Sequence, residues 1–155
     1  MRQGEVDGND YIFMTQDQFE KEKAAGYFLE SATVFGNSYG TPKKRVQDLL
    51  TQGFDVLFDV DWQGARSIAE SWPGHVVRIF ILPPSLDVLE SRLRERALDD
   101  EDIIHKRLAE AEDEIGHWSE YDYVVVNDDL NEAVDDLLSI IRAERLKAAR
   151  FHAHA

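Results

Sequence analysis

Three short apolar runs in the chain after Gly53 constrain its fold more than any other feature of the sequence. They cover residues 54–60, 76–82 and 123–126, and segments of helical periodicity separate them. Apolar runs of this length, bounded by turn residues, are typical of strands that are covered on both faces. Because strands that alternate with helices form parallel sheets, the sequence predicts an α/β fold with a parallel sheet.

The segments between these runs carry helix start signals. Thr15 and Gln18 have the spacing of a capping box, and Thr41 before Pro42 has the pattern of an N-cap followed by a first helical residue. The predicted helices cover residues 19–25, 42–52, 63–71, 85–96, 103–115 and 130–150, with a break at 98–100, and a further strand is predicted over 27–35.

Composition excludes several classes of partner. The net charge of −14 argues against a nucleic-acid groove or an anionic membrane surface, since either requires a basic patch. The chain has no cysteine, which excludes disulfides and thiolate zinc sites. Its longest apolar stretch, 76–84, is interrupted by Arg78 and is too short to span a bilayer. No signal pattern begins the sequence, so we expect a soluble, cytoplasmic protein.

Two aspartates follow the first apolar run. Asp59 and Asp61 would lie at the carboxyl end of a parallel strand, where such sheets bind their ligands. A carboxylate at that edge can hold the water shell of Mg²⁺. The alternative is that the two aspartates cap the helix that begins near Trp62.

Five segments together resemble guanylate kinases. They are the run RQGEVDGNDY at 2–11, FLE at 28–30, GNSYGT at 36–41, FDVDWQG at 58–64, and the arginine-rich segment 92–107. The resemblance extends from Arg2 to about Arg145. It implies an enzyme that transfers a phosphoryl group from ATP to GMP, giving ADP and GDP, with Mg²⁺ accompanying ATP. GMP and ATP are then the expected partners.

One motif of that family has no counterpart here. The sequence contains no phosphate loop of the form G-x-x-x-x-G-K-[ST]. The resemblance therefore implies a phosphate-loop-kinase sheet with helices on both faces that lacks its first, central strand between 54–60 and 76–82. We expect that Met1 is an internal methionine or that the chain is a fragment, inactive by itself. The exposed gap in the sheet also predicts self-association.

The family's organisation implies a division of the chain within one guanylate kinase-like domain. Residues 1–52 would form part of the GMP-binding subdomain and 53–90 the core. Residues 91–119 would form a helical lid, and 120–155 more core with the C-terminal helix. An alternative function is a catalytically inactive guanylate kinase-like module that binds a nucleotide or a protein.

The resemblance assigns GMP-binding roles to seven residues. Glu30 would accept hydrogen bonds from guanine, and Thr41 would contact the carbonyl edge of the base. The phosphate of GMP would be bound by Arg2, Tyr11 and Tyr39. Asp59 and Asp61 are the other two GMP-binding residues, and Asp59 would also hold Mg²⁺ through water. Without the resemblance, Glu30 is a surface glutamate, the tyrosines are packing residues, and Arg2 is a disordered terminal residue.

The resemblance also assigns residues to the reaction itself. Arg92, Arg96 and Arg107 match the lid arginines that stabilise charge on the transferring phosphoryl group. Solvated surface arginines are the alternative. Ala97 departs from the family, which has Gly there, and this substitution predicts a stiffer hinge. Asn127 and Asp128 would lie beside the adenine of ATP, or would end the third strand and cap the last helix.

Overall fold

The computed structural model describes residues 6–8, 11–34, 37–95 and 101–150. The chain divides into two compact units, Met1–Val76 and Val77–Ala155, and each contains a two-stranded sheet flanked by helices. The predicted mixed α/β class is therefore confirmed. Four of the predictions lie outside the described residues: those on Arg2, on Arg96, on the hinge at Ala97 and on the helix break at 98–100.

The first unit is built around an antiparallel hairpin. Its elements are α1 (Gln16–Ala24), β1 (Phe28–Val34), β2 (Asn37–Pro42), α2 (Lys43–Thr51) and α3 (Trp62–Ser71). Strand β2 pairs with β1, and Leu29 of β1, Val46 of α2 and Ile68 of α3 form the buried core. The hairpin is thereby fixed against two helices.

Helix α1 begins as its sequence predicts. The side chain of Thr15 accepts from the backbone N–H of Gln18, and the Gln18 side chain accepts from the backbone N–H of Thr15 at 3.0 Å. These reciprocal bonds satisfy two donors that a helix N-terminus leaves unpaired. The capping box is confirmed.

Two predictions for the first unit are wrong. The N-cap of α2 is Pro42, without a side-chain hydrogen bond, because Thr41 lies in β2 and its hydroxyl bonds across the hairpin. Residues 54–60 form no strand, since the described residues supply no strand to pair their backbone groups. In that run Val56 and Phe58 pack against the core, while Leu57 is 91% exposed.

The second unit contains the parallel pair. Its elements are β3 (Ile79–Leu82), α4 (Leu86–Glu95), α5 (Glu101–Ile115), β4 (Tyr123–Val126) and α6 (Leu130–Arg145), with short 3₁₀ turns at Trp118–Glu120 and Ala148–Arg150. Strands β3 and β4 run parallel from Ile79↔Tyr123 to Leu82↔Val126. The predicted strand 123–126 is confirmed, while the strand predicted from Val76 begins at Ile79 and the last helix ends at Arg145. No helix among the described residues has the length and apolar character needed to cross a membrane.

A buried carboxylate fastens α6 to β4. Glu144 is only 6% exposed, and its Oε1 accepts from the phenol of Tyr123 at 2.6 Å and lies 2.5 Å from Lys147 Nζ. Arg150 lies 3.3 Å from Oε2, but without the orientation of a hydrogen bond. The bonds from Lys147 and then Tyr123 lower the pKa of Glu144, and the bond to Glu144 raises the pKa of Tyr123.

Candidate functional site

The hairpin of the first unit places three predicted site residues on one face. Glu30 of β1 is the direct cross-strand partner of Thr41, and Ala32 is the partner of Tyr39. Directly opposed residues of antiparallel strands share a face, as do residues two apart on one strand. Glu30, Thr41 and Tyr39 therefore form a polar surface on this face of the hairpin.

Glu30 is a buried carboxylate with one protein partner. It is 9% exposed, and the Thr41 hydroxyl donates to its Oε1 at 2.7 Å. Within the described part of the chain, this is its only hydrogen bond, and no Lys, Arg or His forms an ion pair with it. A buried carboxylate is costly unless donors or cations compensate it. The arrangement therefore suits a ligand that brings its own donors.

Two tyrosine side chains contact each other at the hairpin that carries Glu30, and one of them, Tyr39, belongs to β2. The rings of Tyr11 and Tyr39 contact edge to face, with centroids 5.9 Å apart. A tight turn holds Tyr11, because Gly8 donates to its carbonyl at 2.7 Å with a φ of 79°, a conformation that favours glycine. Neither phenol hydroxyl has a hydrogen-bond partner among the described residues, so both are available to an anionic group.

Asp59 and Asp61 take different roles in the structure. Asp61 is the N-cap of α3, and its Oδ1 accepts from Gly64 N at 2.8 Å, as the capping alternative predicts. Asp59 is exposed, and its carboxylate has no partner in the described ranges. Thus only Asp59 retains a fully available carboxylate.

The donor set offered to a metal ion is small. Among the described residues, no three His, Cys, Asp or Glu side chains group together as metal ligands. Mg²⁺ usually retains several waters and binds through one or two carboxylates together with substrate phosphates. The exposed Asp59 carboxylate fits such an outer contact to a hydrated ion.

In the second unit, Arg92 of α4 binds the backbone that follows β4. Its Nη1 donates to the carbonyl of Asn127 at 2.7 Å, and its Nη2 donates to the carbonyl of Asp128 at 3.0 Å. A cleft of about 330 Å³ lies there, lined by Arg92, Glu95, Asn127, Asp128 and Leu130. The structure therefore brings together Arg92 and the two residues assigned to ATP.

The alternative for Asn127 and Asp128 is that they end the third strand and cap the last helix, and only its helix-capping part is wrong. Helix α6 is capped by Asp129, whose Oδ1 accepts from the N–H groups of Asn131 and Glu132 at 2.8 and 3.1 Å. Asn127 does end the strand, because its N–H donates to Leu82 O at 2.7 Å. The backbone carbonyls of Asn127 and Asp128 then accept hydrogen bonds from Arg92.

Arg94 is an interaction residue that the sequence analysis did not select. It contacts Glu90 of its own helix at 2.7 Å and donates to both carboxylate oxygens of Glu101, which begins α5. The hydrogen bond from Arg94 lowers the pKa of Glu101, and the reciprocal interaction holds the pKa of Arg94 above its ordinary value. The i, i+4 spacing of Glu90 and Arg94 was the readable signal.

Known proteins resemble this chain over almost its whole length. A family model for guanylate kinase matches residues 1–144. The guanylate kinase of Maricaulis maris is 54% identical over 149 residues, which are 96% of this chain and 68% of that protein. The guanylate kinase of Cereibacter sphaeroides is 54% identical over 150 residues, covering 96% of this chain and 71% of the relative.

The chain belongs to the guanylate kinase family. A crystal structure of guanylate kinase from Anaplasma phagocytophilum superposes with a TM-score of 0.79 at 40% identity, covering 97% of this chain and 73% of that one. The structural match gives this protein the guanylate kinase fold. The resemblance stated from the sequence motifs is therefore confirmed.

Family membership does not by itself assign the roles of individual residues. The structure brings Glu30, Thr41 and Tyr39 to one face of the hairpin, with Tyr11 against Tyr39. It brings Arg92 to Asn127 and Asp128. Arg107 is half-buried on α5, and its role stays a prediction.

Proposed function

We propose that this chain carries the GMP-recognising part of a guanylate kinase, the transferase that moves the γ-phosphoryl group of ATP to GMP and yields ADP and GDP. One observation carries the proposal at the residue level. Glu30 is a buried carboxylate whose one hydrogen-bond partner among the described residues is the hydroxyl of Thr41. A guanine base would supply the donors that this carboxylate lacks.

The geometry of guanine explains the choice of a carboxylate. Guanine presents its ring N1–H and its exocyclic amino group side by side, and two carboxylate oxygens can accept both. Adenine presents no such adjacent pair of donors. A site built on these hydrogen bonds can reject a base that lacks them by about 10⁴-fold, since Glu30 would then stay buried and unpaired. In this proposal Thr41 holds the carboxylate and contacts the carbonyl edge of the base.

The phosphate of GMP would lie against the tyrosine pair. Tyr11 and Tyr39 offer two hydroxyl donors from adjoining rings. Arg2 would add a charged fork that binds phosphate oxygens in two places. Asp59 and Asp61 belong to the same proposed subsite, with Asp61 also fixing the start of α3.

Arg92, Arg96 and Arg107 are proposed to act on the transferring phosphoryl group. Catalysis of this transfer consists mainly of positioning and of positive charge set against the phosphoryl oxygens. Asn127 and Asp128 are proposed to contact ATP at the cleft beside Arg92. When bound with ATP, Mg²⁺ neutralises charge on the phosphates, and Asp59 would contact it through water.

We also propose a larger sheet for this protein and a division of the chain into subdomains. Ile81, Val124 and Val126 on the β3–β4 pair are each about half exposed, which supports a larger parallel sheet with a further strand and helices on both faces. Such apolar strands would also support self-association. The boundaries 1–52, 53–90, 91–119 and 120–155 are proposed for the subdomain, core, lid and C-terminal core.

Calorimetry with GMP and AMP tests the proposal. We expect the protein to bind GMP in preference to AMP, and Glu30→Gln to reduce that preference about 100-fold, because an amide replaces one of two acceptors with a donor. Asp17→Asn, at an exposed position of α1, makes the same charge change and is the matched control. Equal affinity of the parent for the two nucleotides would refute guanine recognition.

A further inference from the structure

The backbone of β2 leaves no space for a side chain at Gly40. A Cβ placed there would lie 2.7 Å from Cδ1 and 2.9 Å from Cγ of the Phe28 ring. Carbon atoms in ordinary contact are about 3.5–4.0 Å apart, so either the ring or the strand would have to move. Gly40 thus allows Phe28 to cover the strand immediately before Thr41.

The Phe28 ring has little freedom to move away. It stacks on Phe19 with ring centroids 4.7 Å apart, and Phe19 is buried. Tyr27 contacts it edge to face at 5.2 Å. Because close-packed rings transmit strain, a side chain at position 40 would displace the β2 backbone.

The same contact occurs where the register of the hairpin changes. Phe28 pairs with Pro42 but Glu30 pairs with Thr41, so β1 has one extra residue, Leu29, between the two pairs. Leu29 is buried in the core, and the next residue, Glu30, is also buried. Bulges of this kind redirect side chains next to functional sites.

We propose that Gly40 and Phe28 are positioning residues that set the guanine specificity of Glu30. The proposal deepens the proposed function and rests on it. Phe28 closes over Gly40, which fixes Thr41 opposite Glu30 and keeps the 2.7 Å hydrogen bond between them. The carboxylate is then held in the orientation that accepts from both guanine donors.

The ratio of GMP affinity to IMP affinity measures this orientation. IMP lacks the exocyclic amino group but keeps the phosphate, so the ratio reports the second hydrogen bond to Glu30. We expect Gly40→Ala to lower this ratio about tenfold, the effect of losing a hydrogen bond to a charged group. A general loss of stability would weaken both nucleotides equally and leave the ratio unchanged.

Removal of the obstructing ring provides the rescue. In the double variant Gly40→Ala with Phe28→Ala, no side-chain atom beyond Cβ remains at position 28 to meet the added methyl group, and we expect most of the ratio to return. Ser31→Ala is the matched control, because Ser31 is the cross-strand partner of Gly40 and its hydroxyl has no hydrogen bond among the described residues. It should keep the parent ratio.

A readout without nucleotide separates this proposal from the proposed function. The methyl NMR signal of Thr41 should shift in Gly40→Ala and return in the double variant, whether or not GMP binds. Loss of GMP preference in the parent would overturn the proposed function and the specificity proposal together. A parent that prefers GMP, with an unchanged GMP to IMP ratio and Thr41 signal in Gly40→Ala, would overturn only the positioning role.

Discussion

The hydroxyl of Thr41 donates to Oε1 of Glu30 at 2.7 Å, between residues that are direct partners across the β1–β2 hairpin. The hydroxyl of a strand residue therefore orients one oxygen of a buried carboxylate. This donor is neutral, and no Lys, Arg or His within the described ranges forms an ion pair with Glu30. We infer that the pair is arranged to accept hydrogen bonds from a ligand.

The first prediction concerns that hydroxyl. Thr41→Val keeps the shape of the side chain but removes the donor, so Glu30 loses the partner that orients it. We expect GMP affinity to fall about tenfold, the usual effect of losing a hydrogen bond to a charged group. Thr41→Ser keeps the hydroxyl and should retain most of the affinity. Calorimetric titration of the three proteins checks this, and parent-like binding by Thr41→Val would contradict it.

The second prediction separates phosphate binding from base binding. Tyr39→Phe and Tyr11→Phe remove hydroxyls but keep the edge-to-face ring contact. We expect each change to weaken GMP about five- to tenfold and to leave guanosine binding unchanged, because guanosine has no phosphate. Tyr27→Phe is the control, since Tyr27 contacts Phe28 through its ring. Equal losses for GMP and guanosine would assign the tyrosines to packing.

The third prediction concerns the ion pairs that join α4 to α5. Arg94 contacts Glu90 and Glu101, and the bond from Arg94 lowers the pKa of Glu101. We expect Arg94→Gln to speed amide hydrogen exchange severalfold in the first turn of α5, where these contacts are made. Glu112→Gln, at an exposed position of the same helix, should leave that exchange unchanged.

Salt and pH give independent tests of the same link. Exposed ion pairs are screened, so high salt should raise exchange in the parent toward the Arg94→Gln rate. The pKa of Glu101 is lowered in the folded state, so its ion pair stabilises the fold at pH values above the ordinary pKa of 4.5. That stabilisation is lost as the pH falls through the lowered pKa. If the amides in the first turn of α5 exchange as slowly in Arg94→Gln as in the parent, the ion pairs of Arg94 do not stabilise that turn.

The fourth prediction concerns the buried Glu144. Its folded-state pKa is lowered, so its stabilising effect is present above the ordinary value of 4.5 and disappears as pH falls through the lowered value. Glu144→Gln should reduce the free energy of unfolding by about 1 kcal/mol at pH 7, and by less in acid. Urea unfolding from pH 7 to pH 3 measures the difference, with the exposed Asp136→Asn as control.

Tyr123 tests the same contact from the alkaline side. Its pKa is raised, so the neutral phenol stabilises the fold below its ordinary value of 10.0, and this effect is lost as pH rises through the raised value. In Glu144→Gln one tyrosine should ionise at lower pH than in the parent. An unchanged tyrosine titration would exclude the proposed coupling.

Local signals were sufficient to predict several elements. The capping box at Thr15 and Gln18 is present, and the apolar run 123–126 forms β4 with the predicted bounds. The capping box depends only on residues three positions apart, and the run 123–126 finds its partner strand, β3, in the same unit. The guanylate kinase family was likewise identified from short motifs, and the comparisons confirm it.

Predictions that depended on distant partners were less successful. The run 54–60 has strand composition, yet a strand also requires a neighbour to pair its backbone, and the described residues provide none. Thr41 has the local pattern of a helix cap, but its hydroxyl bonds to Glu30 eleven residues away. The burial of Glu30 could not be read from its strand, because it depends on the bulge at Leu29 and on the packing around it.

The structure of the protein with GMP bound tests the central claim most directly. We predict that N1 and the exocyclic amino nitrogen of guanine lie about 2.7–3.2 Å from the two oxygens of Glu30, with Thr41 Oγ1 still in contact and the phosphate beside Tyr39. A complex in which guanine lies away from Glu30, or in which Glu30 keeps Thr41 as its only partner, would contradict the account.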